Sequence, residues 1–383
     1  MRFEVSIDCI VYFAQNKPNT WITKGLLSAL LGAVLLCVGL EAQAPELFAD
    51  VSARAAQARD AGNVLQAMDL YKQATQLKPD WQEGWWNLGM LAYGANQYPV
   101  AIGAFTHLLQ IVPTAMPAMA LRGLCEFETA AYDDALRDLE QAVAHGAASD
   151  PRNEQILRFH LGQLLTRAGR YRDALDQYEV FARHQVESSD LYAAIGMAGM
   201  QNAHLLSELA AQDRAVYEAA GRAAYPLLAD DSTESSHRFA ELFARYPATP
   251  NLHFFYGFLL FPHEAMDLTI DQLQREVAIA PGNHLAYAYL AFALMIASRY
   301  ADAERVLASA PQANVDQDIA QVVLGRSLAE NGKAERGEEL LKQVLERNPD
   351  NMEAHLGLVA IYSHEGRRED ARRERLACLH LEK

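Results

Sequence analysis

Only four cysteines occur in 383 residues, at Cys9, Cys37, Cys125 and Cys378. No two form a C-x-x-C pair, which excludes a zinc knuckle or dithiol redox centre of that kind. A disulfide-dense scaffold is excluded as well. Cys125 and Cys378 are expected on helices, as reduced packing residues. Positive charge is also scarce: 33 Lys+Arg stand against 49 Asp+Glu, a formal net charge of -16. Sequence-independent binding of nucleic acid needs a basic surface to replace counterions, so nucleic acid is excluded as a partner for the bulk of the chain. An anionic membrane surface is matched equally poorly. No P-loop, no G-x-G-x-x-G and no G-x-S-x-G elbow is present. His263-Glu264 and His364-Glu365 open like a zinc-protease helix, but no histidine stands four residues after the first. No metal site, cofactor site or catalytic constellation is expected, and the chain reads as a non-enzyme. Asp230-Asp231 reads as a solvated acidic loop rather than a cation site. Apolar matter is plentiful: hydrophobic residues make up 51% and charged residues 21%, enough for a sizeable core.

Long hydrophobic runs are nearly absent too. The one of note, Gly25 to Leu40, has 16 uncharged residues. That is short of a membrane span. Lys17 and Lys24 precede it, and Ala42-Gln43-Ala44 follows Glu41. A positive flank, a short apolar run and a small-x-small tripeptide describe a secretory signal peptide. Residues 1–44 are therefore read as a signal peptide or an uncleaved signal anchor. Pro45 hinders cleavage after Ala44 and favours a cut after Ala42. The expected location is outside the cytoplasm of a bacterium, periplasmic or secreted, with a possible tether to the inner membrane through residues 25–40.

Internal spacing is the strongest signal. Tyr71, Ala74 and Pro79 recur as Phe105, Leu108 and Pro113, each 34 residues on. Ala67 recurs at Ala101 and Ala135, Gly89 at Gly123, and Tyr98 at Tyr132. After a lengthening of five residues the pattern returns as Leu161-Gly162, Gly169, Tyr171, Ala174 and Tyr178. Gly257, Ala291 and Gly325, and then Ala303, Gly337 and Ala371, keep the same 34-residue step near the C-terminus. Small residues on both helices of a unit allow close approach. Large ones such as Phe105, Leu139, Tyr178 and Leu341 fill the space between units. Gly62, Gly169, Gly332 and Gly366 suit the turns, and the prolines end second helices. One such unit cannot bury its own apolar face, so units stack.

This pattern resembles the tetratricopeptide repeat family. The stretch Trp85-Trp86-Asn87-Leu88-Gly89 through Tyr98, Ala101, Phe105 and Pro113 follows the W-x₂-L-G…A-x₃-F…P motif. The resemblance implies an all-α, right-handed α-solenoid of about eight to nine helix-turn-helix repeats. Four units fall in 45–187 and four in 250–383. Between them, 188–249 breaks the register. There Leu191 to Met200 reads as a first helix, Ala203 to Leu228 as longer helical material, Asp230 to Ser236 as a polar break, and Phe239 to Tyr246 as an amphipathic turn or two. Arg367 to Arg375 reads as the polar cap of the last unit.

In the resembled family the first helices line a concave face that binds partners. Several first helices here carry a second apolar stripe, apart from the packing face. Trp86, Met90 and Tyr93 lie at i, i+4 and i+7, and Phe254, Phe258 and Phe261 have the same spacing. Leu124, Phe127, Phe159, Phe292 and Met295 take equivalent places. A helix that is apolar nearly all round needs cover on both sides. Either a protein or peptide partner supplies it, or the chain's own superhelix does. The family's lysine-and-asparagine carboxylate clamp is not expected, because Asn87 has no lysines beside it. His160, His253, His284 and His355 are expected as partly exposed residues of first helices. The function these features imply is a protein-binding scaffold or adaptor. A membrane-tethered assembly factor and an enzyme subunit are the alternatives.

Overall fold

The computed structural model describes residues 46–148, 150–263, 265–311 and 317–381. The expected signal segment 1–44 and its apolar run lie outside the described residues. The described residues form nineteen α-helices and no strand. None of these helices is long and apolar enough to cross a membrane. The architecture is an α-solenoid of tetratricopeptide-like repeats, divided into two compact units, Met1–Ala147 and Ala148–Lys383.

The first unit holds three helix-turn-helix pairs. They are α1 (46–60) with α2 (Val64–Leu77), α3 (Gln82–Gly94) with α4 (Tyr98–Ile111), and α5 (Met116–Glu128) with α6 (Tyr132–Ala144). The turns inside these pairs share one backbone device. Gly62, Asn96 and Ala130 have φ of 73°, 56° and 61°, in the left-handed region that ends a helix and reverses the chain. They stand 34 residues apart, so the period of the sequence is also a period of the backbone. Packing repeats as well. A Cβ added at Gly89 would lie 2.5 Å from the Phe105 ring, so the bare glycine is what admits that ring between α3 and α4. The core of this unit runs through Tyr71, Leu88, Phe105, Leu108 and Cys125. Burial pushes the Cys125 thiol up to about 12, which leaves it a packing group.

The second unit opens with α7 (Pro151–Arg167) and α8 (Tyr171–Arg183), then α9 (Ser189–Gly199) and α10 (Arg214–Leu228). Gly196 and Gly221 put α9 and α10 in backbone contact. A Cβ at either would lie 1.9 Å and 1.8 Å from the carbonyl oxygens of Tyr217 and Tyr192, respectively. A single further helix, α11 (Ser232–Arg245), follows. Four regular pairs complete the unit. They are α12 (Leu252–Leu259) with α13 (Met266–Ile279), α14 (His284–Ile296) with α15 (Tyr300–Ser309), α16 (Gln317–Glu330) with α17 (Ala334–Arg347), and α18 (Met352–His364) with α19 (Arg368–Leu381).

Two readings of the irregular region are corrected. Helix does not run from Ala203: a short 3-10 turn, Leu206–Glu208, occupies the connection and α10 starts at Arg214. The polar stretch Asp230 to Ser236 is a break only at Asp230 and Asp231, and Ser232 to Ser236 is already helix. Asp231 accepts a hydrogen bond from the Glu234 backbone N–H at 3.1 Å, and α11 begins at the next residue. Short polar side chains satisfy the orphan donors of a helix start, so the same composition that marks a loop also marks a cap.

Candidate partner-binding site

The site is built from the start of α8, the end of α9, α12 and the start of α14. Gly169, with φ of 75°, turns the chain into α8. The Arg170 guanidinium pairs with Asp173 within the first turn, at 2.7 Å. The Tyr171 hydroxyl donates to the carbonyl of Gln201, 3.1 Å away, which ties α8 to the end of α9. Leu175 is buried behind them.

Opposite stands α12, eight residues of which four are aromatic. A buried carboxylate holds its N-terminus. Glu276 of α13 accepts from the backbone N–H of Asn251 at 2.7 Å and of Phe254 at 3.1 Å. Asn251 sits at φ of 68° and donates its side-chain amide to the carbonyl of Met200, 2.9 Å away. Asn283 in turn donates to the Asn251 side-chain oxygen at 2.7 Å, and its own oxygen caps α14 at Ala286. One polar chain thus fixes α9, α12, α13 and α14 together. A glycine completes the join, since a Cβ at Gly199 would lie 2.1 Å from the Phe255 ring.

These supports leave an aromatic wall. Phe254 stacks on Phe258 with centroids 6.0 Å apart. Tyr289 of α14 meets Phe254, Phe258 and Phe261 edge-on at 5.7, 5.3 and 5.7 Å. Phe261 continues to Phe292 at 5.9 Å. Facing the wall is a cavity of about 210 Å³ lined by Leu175, Ala198, Phe254, Phe258, Leu285 and Tyr289 among others. A second cavity of about 310 Å³ adjoins it, lined by Asp176, Glu179, Asp230, Leu259 and His263 among others. Arg172, Leu175 and Phe258 line both. The Arg172 guanidinium lies over the Phe258 ring, 5.6 Å from its centroid. The chemistry on offer is apolar and cation–π contact beside a carboxylate-rich recess.

The residues singled out in the sequence fall in several places. Phe254, Phe258, Phe261 and Phe292 come together in the wall just described. Phe159 lies elsewhere in the second unit, beside Tyr178 and Phe181. Met295 is buried in the core around Leu290 and Leu294. In the first unit Trp86 meets Phe105 edge-on at 6.0 Å, Tyr93 lies against Tyr98 and Phe127 against Tyr132. Met90 is exposed there, and Leu124 is buried. Two histidines expected on the surface are buried instead. His253 stacks on Phe243 and bonds Gln272 at 2.7 Å, and His355 bonds Glu374 at 2.7 Å. Each partner lies on the second helix of the same pair, 19 residues on, and satisfies the ring nitrogen that burial strips of water. Among the described residues, no cluster of three or more His, Cys, Asp or Glu is arranged to hold a metal ion.

Residues 53–115 and 328–374 each match the tetratricopeptide repeat family. No curated protein matches the chain in sequence. Many solved structures resemble it, three of which follow. YrrB, described as a tetratricopeptide repeat protein with an unusual peptide-binding site, is 15% identical with a TM-score of 0.35, over 51% of this chain and 85% of its own. A tetratricopeptide repeat protein from Parabacteroides merdae is 14% identical with a TM-score of 0.33, over 82% of this chain and 98% of its own. Yeast Tom70 is 14% identical with a TM-score of 0.29, over 88% and 92%.

Proposed function

We propose that this chain, whose helices form tetratricopeptide repeats, is a non-enzymatic scaffold that holds a protein or peptide partner at the aromatic wall of its second unit. Repeats of this family generally mediate protein–protein interaction and are typically not enzymes. The observation that carries the reading is the wall itself. Phe258, Phe261, Tyr289 and Phe292 are only half-buried, and the helices that carry them are joined by a part-buried polar chain centred on the buried Glu276. Rigid aromatic side chains beside a cavity bury large areas at low entropic cost, which is what a binding anchor needs. The half-buried Trp86, Tyr93 and Phe127 are a second such surface, on the first unit. The expected setting is outside the cytoplasm, on the strength of the apolar run at residues 25–40.

The test is a crosslinking pull-down from the source cells. The baits are the full chain, Phe258→Glu and Trp86→Glu, each with its helical content checked by circular dichroism. The expected result is a partner lost from the Phe258→Glu bait and kept by the others. Identical capture by all three baits defeats the reading. Sequencing the N-terminus of the mature protein from fractionated cells decides between release and tethering.

A further inference from the structure

The two cavities of the second unit differ in chemistry but share a wall. The first is mainly apolar and aromatic, with Arg170, Arg172, Asp173 and Gln201 also in its lining. The second carries Asp176, Glu179 and Asp230 against Arg172 and His263. Glu179 is committed to Arg183 on its own helix. Arg172 is engaged with the Phe258 face. Burial raises the Asp176 carboxyl above its ordinary range and Arg172 offsets part of its charge, but among the described residues neither Asp176 nor Asp230 forms an ion pair. The Arg172–Phe258 contact also demonstrates that this ring accepts a guanidinium on its face.

We infer that the partner segment carries an apolar side chain followed closely by a basic one: the apolar group enters the aromatic cavity, and the basic group enters the carboxylate-lined cavity beside it. The inference rests on the scaffold reading above and names the chemistry of its ligand. Three features select this occupant. The apolar cavity, about 210 Å³, admits one large side chain. The recess next to it carries an excess of negative charge, which rewards a cation and penalises an acid. The whole chain, at -16, attracts basic segments and repels acidic ones at long range. The rival occupant is an acidic segment that pairs with Arg172. It would have to place its carboxylate among Asp176, Glu179 and Asp230.

The test uses the full chain and three fluorescein-labelled peptides, read by fluorescence anisotropy at low salt. The first is Gly-Ser-Leu-Arg-Phe-Arg-Ser-Gly. The second has Glu for both Arg, and the third has Ser for Leu and Phe. The first peptide is expected to bind about tenfold tighter than either of the others. Asp176→Asn combined with Asp230→Asn is expected to weaken it about fivefold without lowering the melting midpoint, since burial disfavours the Asp176 charge. Equal binding of the three, preference for the Glu peptide, or no binding of the first at about 1 mM overturns the inference. If it is overturned while Phe258→Glu still loses its partner in the pull-down, the scaffold reading stands and only the ligand chemistry is wrong. If the pull-down also shows no loss, both fall.

Discussion

At the scale of single residues, two departures from the repeat, one at a single turn residue and one at a charged trio, each have a measurable cost. Ala130 occupies the turn position that Gly62 fills in the first pair, and it holds φ of 61° with a Cβ. The left-handed region costs an L-residue roughly 1–2 kcal/mol, and glycine returns part of that gain through its freer unfolded chain. Ala130→Gly is expected to stabilise by about 0.5–1 kcal/mol, seen as a higher urea midpoint at unchanged slope. The second departure is a charged trio. Leu88, Ala92 and Ala104 are buried apolar residues of the second pair, and 34 residues on stand Arg122, Glu126 and Asp138. Arg122 grips Asp138 through two bonds of 2.6 and 2.9 Å. That leaves Glu126 at 3.7 Å, with one carboxyl oxygen buried and without a hydrogen-bond partner. Burial, reinforced by the charge of Asp138, pushes the Glu126 carboxyl from 4.5 up to about 7. The folded state therefore keeps a proton that the unfolded state gives up near 4.5, so stability falls as pH rises from 4.5 to 7. Glu126→Gln is expected to remove that slope and to gain on the order of 2–3 kcal/mol at about pH 8, with little change at about pH 4.5. Urea midpoints of the two proteins at both pH values check it. Glu338 acts in a separate window. Its bonds to Arg367 hold it down at about 2, so its contribution is lost only as pH falls below 4.5 toward 2.

At the scale of elements, α12 is the piece on which the site depends, and eight residues are too few to hold a helix unaided. Its N-terminal amides depend on Glu276, a residue of another helix. Glu276→Ala leaves those donors buried and unmatched, at about 1–3 kcal/mol for the pair. Hydrogen exchange at Asn251 and Phe254 is expected to speed up about 10- to 100-fold, with α18 and α19 unchanged. Unchanged exchange at Phe254 would show that packing alone holds the helix. The same contact explains what sequence spacing reveals and what it hides. Periodicity places Phe254, Phe258 and Phe261 on one face because that relation lies within a single stretch of chain. It is silent on Glu276, Asn283 and Tyr289, whose roles arise from helices brought together in space. His253 and His355 are hidden for the same reason, since each finds its partner 19 residues away on the paired helix. Asp231 misleads in another way: a cap and a loop share one composition, and only the following backbone separates them.

At the scale of the whole molecule, the repeat was legible because it is enforced twice, by backbone turns and by small residues facing large ones. The break in register was legible only as a break. The close approach at Gly196 and Gly221 and the extra helix α11 come from packing that follows no period. Substantial contacts join helices adjacent or next but one in sequence. In such an array a lesion should be felt by neighbours and not at a distance. Leu341 is suited to test this. It is fully buried, and a Cβ at Gly325 or Gly357 would lie 2.9 or 2.8 Å from its side chain, so it fills the space between α16 and α18. Leu341→Ala is expected to cost about 3 kcal/mol. Its exchange signature should be confined to 317–381, where protection falls, while α9 to α12 keep theirs. If protection fell equally across the second unit, its repeats would be one cooperative block. A partner bound at the aromatic wall would then be expected to stabilise the C-terminal pairs as strongly as its own.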